Sequence, residues 1–246
     1  MPSFRFGKSP RKSDFRTLRL MTYLTGAVAP PPPFYDVLPL VYNALGENKP
    51  AVLFPMDGND TLGDCTIAGV AHAITVWNGL VGKREVMAQA EVIKLYLHLT
   101  GGVDSGLYEL DVLNYWRQTL VDGESILAFA SVDPRNHDHI KQAIRLFGGA
   151  YLGFHVQQDC LADFEAGRPW TPGPLTLHGH CVLATGYDEE GLTVLTWGAV
   201  QKATWDWLDV CVDEAYAILP PQAKDPAFAP GFDIDQLTAD LSDVAN

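Results

Sequence analysis

The chain has 246 residues, 47% of them hydrophobic and 19% charged; that is enough apolar material for a large core and too much for a disordered chain. No run of roughly eighteen apolar residues occurs, so no membrane span is expected. The net charge of −13 is uneven: residues 1–20 hold Arg5, Lys8, Arg11, Lys12, Arg16 and Arg19 against Asp14, a net of +5, leaving −18 on the remainder, and so acidic a body repels phosphates and argues against nucleic acid as a partner.

In chain order, residues 1–33 read as a basic arm ended by the stiff spacer Pro30–Pro33. The arm suits contact with a protein partner or a solvated path over its own acidic body. Its Leu20–Gly26 stretch is too short and too interrupted for an export signal, so the cytoplasm or a microbial or viral particle is the expected location. Residues 34–58 are expected to be irregular, with Pro39, Pro50 and Pro55 blocking long helices. Ile67, Val70, Ala71, Ile74 and Trp77 recur at helical spacing behind Asp64, an N-cap residue type, with Gly79 and Gly82 at the far end. Further helices are expected over about 84–99, 107–120 and 139–147, the last capped by the polar turn Asn136–His139.

Short apolar, partly β-branched runs then predict strands over Ala150–Val156, Cys181–Gly186 and Leu192–Thr196. The acidic tail 220–246 ends in a weak amphipathic segment. Helices first and strands second predict an α+β fold, with a body over 34–219, helical over about 60–130 and β-rich over about 131–219. Cys65, Cys160, Cys181 and Cys211 include no CxxC pair, which excludes a disulfide framework or a zinc ribbon and favours a reducing setting.

Cys65 stands at the predicted first turn of a helix, where the dipole and free N–H groups favour a thiolate and can hold an oxyanion. Asn59 on the preceding loop adds an amide donor. A lone cysteine is, however, more often a buried structural residue. Of seven histidines, only His178 and His180 lie at the entrance of an apolar strand, and the residues alone do not choose between them. His178-x-His180 lacks a third ligand at metal spacing, so no metal or other cofactor is expected. Trp77, Tyr115, Trp116 and Trp170 are expected in the core.

Asn59-x5-Cys65 followed by a helix, the strand His180 to Gly186-Tyr187, and Thr196-Trp197-Gly198 together resemble the papain-like cysteine peptidases, in a divergent microbial or phage type. The resemblance spans about 50–219 and implies a further strand in the Trp205/Trp207 region. The 115 residues between Cys65 and His180 fall a little short of the family's usual roughly 130–150. It implies a two-lobe fold, a helical lobe whose central helix carries Cys65 and a β-rich lobe carrying His180. It also implies a Cys65–His180 pair acting on a peptide or protein substrate, Asn59 in place of an oxyanion-hole glutamine, Trp197 shielding the site, and Ser105-Gly106 lining the groove.

The pattern is broken in four places. Leu195 occupies the position of the family asparagine, which makes Thr196 the candidate partner of His180 if a shift in the strand turns its hydroxyl inward. Asp64 would raise the thiol pKa unless it faces away as a helix cap. Leu62 replaces a cysteine that pairs in relatives, so their disulfides do not carry over, and no long charged helix of an inhibitory segment precedes Cys65. Two functions therefore stand: a thiol-dependent peptidase, or a papain-like module kept for a binding or structural role in a microbial or viral assembly.

Overall fold

The computed structural model describes residues 4–46, 53–225 and 227–244; Pro50 of the segment expected to be irregular, the first three residues of the arm and the last two of the tail lie outside them. The described residues form eight α-helices and seven strands. The central helix α2, Cys65–Leu80, is apolar on nearly every face and buried along its length, as a helix enclosed by other elements must be. Helix α1, Leu38–Leu45, crosses it at Gly79, where a Cβ would collide with Val41. The expectation of irregular structure is corrected here: Pro39 lies in the first turn of α1, where a missing N–H costs nothing.

Helices α3, Gln89–Leu99, and α4, Glu109–Gln118, follow. The first starts five residues later than the spacing predicts, since 84–88 are extended. Helix α5, His137–Phe147, is capped by Asn136, whose side chain accepts from the His139 N–H at 3.1 Å.

The sheet is antiparallel in the order β2-β7-β3-β4-β5-β6, from β2, Ala128–Val132; β3, Ala150–Gln157; β4, Leu175–Tyr187; β5, Gly191–Thr196; β6, Ala199–Thr204; and β7, Val212–Leu219. The two-residue strand β1, Tyr35–Asp36, pairs with β4 off this path. Residues 205–211, expected as a strand around Trp205 and Trp207, instead form helix α7, capped by the Thr204 hydroxyl on the Trp207 N–H at 3.2 Å. A short helix α6, Cys160–Glu165, precedes β4, and α8, Ile234–Val244, ends the described chain. Helix α2 lies across β3 and β4: Gly69 packs under the Tyr151 ring, whose hydroxyl donates to the Thr66 carbonyl at 2.7 Å. On the other face of the sheet, Phe154, Trp170 and Trp207 form a fully buried aromatic cluster. No helix among the described residues is long and apolar enough to cross a membrane.

Candidate active site

Cys65 is the first residue of α2 and is 1% exposed. Its thiol hydrogen-bonds the main chain of Cys181, the residue after His180, and of Gly7 in the arm. Burial nevertheless dominates and pushes it up to about 12. His180, on β4, is also 1% exposed, and burial pushes its imidazole down to about 3. Its Nε2 lies 2.8 Å from the Thr196 hydroxyl, and its Nδ1 has no hydrogen-bond partner among the described residues.

Strand register explains that contact. Leu183 pairs with Leu195, so one step along, Thr196 shares the face of Val182 and therefore of His180, while Leu195 turns to the opposite face. Trp197 stacks on the imidazole at 4.4 Å between centroids. It sits with Gly198 in the two-residue turn joining β5 to β6, both residues at positive φ, 44° and 74°. A bulky residue in that region costs on the order of 1–3 kcal/mol, a strain concentrated at functional positions.

Asn59 is buried, and its amide donates to the Leu62 carbonyl at 3.0 Å, within its own loop. Asp64 is the N-cap residue by position, and its carbonyl accepts from the N–H groups of Ile67 and Ala68. Its side chain makes no capping bond, and both oxygens are buried, with only weak contacts from the Asn59 amide and its own N–H. The expectation of a side-chain cap is thus corrected. Burial raises the Asp64 carboxyl to about 8, so at neutral pH it is mostly protonated and places little charge beside Cys65.

The groove over these residues is filled. Residues 5–9 lie in it as an extended chain: the Arg5 N–H donates to the Asn59 carbonyl, the Lys8 N–H to Gly179 and the Ser9 N–H to Leu107, while the Gly7 carbonyl accepts from Leu107. Phe6 touches the rings of His178, His180 and Trp197, and Phe4 those of Phe164 and Trp197. Glycines make the fit: a Cβ on Gly7 would enter Gly63, and one on Gly106 or Gly179 would enter the arm. Of the Ser105-Gly106 pair, Gly106 packs against the arm, whereas Ser105 is exposed and its N–H goes to Val103. The backbone that pairs with the arm belongs to Leu107, which the sequence did not single out. The expectations for the arm, contact with a partner or a solvated path over the body, are corrected for residues 5–9, which pair with the body by main-chain bonds as an extended segment with no helical periodicity to read.

No protein-family model matches the sequence, and no curated protein matches it. Solved structures do match. Xylellain, a cysteine protease from Xylella fastidiosa, aligns with a TM-score of 0.64 at 16% identity over 87% of this chain and 96% of that one. The fold is papain-like. The papain-like architecture recurs in the Carica candamarcensis cysteine protease CMS1MS2 in complex with E-64, with a TM-score of 0.53 and 15% identity over 77% of this chain and 99% of that one. It recurs in the cysteine protease and lectin-like domains of Cwp84, a surface layer associated protein of Clostridium difficile, with a TM-score of 0.54 and 13% identity over 85% of this chain and 57% of that one. No hydrogen bond joins the Cys65 thiol to the His180 ring among the described residues; the arm links the two, Gly7 against the thiol and Phe6 against the imidazole, with Thr196 and Trp197 also on the ring.

Proposed function

We propose that this chain is a thiol-dependent peptidase whose groove is closed by its own N-terminal arm. The reading is supported by a thiol at a helix start, an imidazole held on Thr196 under Trp197, and an arm that touches both, Gly7 at the thiol and Phe6 at the imidazole, in place of a direct hydrogen bond between them. In the open groove the Cys65 proton passes to His180 and the thiolate attacks a substrate carbonyl. The Cys65 N–H receives the oxyanion, with Asn59 as a second donor once its amide leaves Leu62. The C–N bond then breaks as His180 returns the proton to the leaving amine, and water hydrolyses the thioester. Thr196 takes the orienting role of the family asparagine.

The arm is held as an inhibitor and not as a substrate: the Gly7 carbonyl accepts from the Leu107 N–H, which occupies the oxygen that an oxyanion site would have to receive. With the groove full, Cys65 and His180 are dry and stay neutral, which is a latent state.

A second reading, a papain-like module without chemistry, is favoured by the same full groove and by Leu195. Alkylation separates the two. Gly7→Val cannot seat the arm against Gly63, so Cys65 of that variant should react with iodoacetamide rapidly below about pH 7. Adding His180→Ala should then slow the reaction about 10²–10⁴-fold. Slow labelling with an ordinary thiol midpoint near about pH 8.5, indifferent to His180, would sink the peptidase reading.

A further inference from the structure

The proposed chemistry makes no use of a cluster of buried carboxylates beside Cys65. Across three neighbouring strands, Glu214 pairs with Gly153 and Gly153 with Cys181, so the three form one row on the face that α2 covers. The middle of the row has no side chain. A Cβ on Gly153 would occupy the place of the Lys8 Cε and press on the Glu109 carboxylate. Glu109, the first residue of α4, closes the hollow from above and is fully buried.

Into this hollow runs the side chain of Lys8, 1% exposed, its Nζ 2.9 Å from Glu214 and 3.0 Å from Asp213. Tyr216 donates to Glu214 at 2.9 Å and holds it in place. Neither oxygen of Glu109 has an N–H or O–H donor among the described residues.

Buried carboxylates are costly unless paired. Lys8 is the one lysine or arginine in the hollow among the described residues, with His155 Nε2 3.5 Å from the more exposed Asp213 at its rim and the Cys181 thiol against Glu109; the Glu109 oxygens still lack an N–H or O–H donor and suit a longer, multiply donating cation. The hollow also has a fixed place along the groove. The Lys8 N–H donates to Gly179, the residue before His180, and the adjacent Gly7 contacts the Cys65 thiol.

We propose that Glu109, Glu214 and Asp213, around the gap left by Gly153, form a selectivity pocket for a lysine or arginine side chain of the substrate, one residue from the peptide bond presented to Cys65. Lys8 occupies this pocket in the closed chain. The inference rests on the peptidase reading, but its test does not need turnover. In the full chain carrying Gly7→Val and Lys8→Ala, binding of end-labelled five-residue peptides, identical but for Lys, Arg, Leu or Glu at one position, is read by fluorescence anisotropy.

The pocket requires the Lys and Arg peptides to bind at least about tenfold tighter than the Leu and Glu peptides, and Glu214→Gln to erase the difference. Equal binding of all four, or none, overturns the pocket whatever Cys65 does. Selective binding in a chain whose Cys65 shows no His180-dependent alkylation keeps the pocket and overturns the peptidase. A second readout leaves the arm otherwise intact: Lys8→Arg should keep Cys65 closed to iodoacetamide, and Lys8→Met should speed its labelling at least about tenfold. Equal rates in these two variants would also overturn the pocket.

Discussion

Two side chains beside Cys65 carry the consequences that are clearest at the scale of the residue. The hydroxyl of Thr196 is the one polar group within hydrogen-bond distance of the His180 ring among the described residues. Thr196→Val keeps the shape and removes the bond, worth about 1.5 kcal/mol. In the Gly7→Val background it should slow Cys65 alkylation about tenfold at pH 6 and lower the melting temperature by about 3–6 °C. Asp64 weighs on stability rather than chemistry. Its folded carboxyl lies at about 8 because of burial, against an ordinary 3.8, so the folded state holds a proton that the unfolded chain releases. Stability from this group is therefore full below about pH 4 and lost as pH rises through about 8. Asp64→Asn should flatten that loss, worth on the order of a few kcal/mol, and reduce the difference in melting temperature between pH 5 and pH 9. An unchanged difference would mean that Asp64 is solvated.

Among the elements, the crossing of α2 over β3 and β4 is the contact that sets the first turn of the helix against the strand of His180. It depends on Gly69, because a Cβ there would meet the Tyr151 ring at 2.7 Å. Alanine is the better helix former by about 1 kcal/mol, yet overpacking at this crossing costs about 1–3 kcal/mol. Gly69→Ala should thus lower the urea midpoint, and a rise would show that Tyr151 can move aside. Elements with a strong single period were legible in the sequence. Helix α2 announces itself by spacing, and β3 to β5 by short apolar runs. The strand β7, Val212–Leu219, carries no sequence signal of a buried strand at its start, because Asp213 and Glu214 stand there, charges that pair with Lys8. Around Trp205 and Trp207 the resemblance implies a strand, whereas the chain forms helix α7, started by the Thr204 hydroxyl on the Trp207 N–H; a seven-residue segment is too short to show a period of its own.

For the whole molecule, the +5 of the arm and the −18 of the body are not a diffuse attraction. Lys8 is buried, whereas the pair Lys12–Asp111 is about half exposed on both sides. Exposed pairs are screened and contribute little. Raising salt from about 0.05 to 0.5 M, beyond the point where surface pairs are screened, should change Cys65 labelling in the intact chain by less than about threefold, and Lys12→Ala should act as weakly. A large salt-driven opening would place the closure on surface charge instead of the Lys8 hollow.

The sequence by itself determined the α+β class, the helix that begins at Cys65 and the strand that carries His180. These are local matters of period and order; Thr196 was reached only through the family resemblance. Only the tertiary structure decided that residues 5–9 occupy the groove, that Asp64 is buried without capping, and that Glu109, Glu214 and Asp213 surround one lysine. An extended segment has no period of its own, and a glycine gap such as Gly153 has no meaning until the strands on either side are paired. Burial, which sets the charge of Cys65, His180 and Asp64, belongs to no residue alone but to everything folded around it.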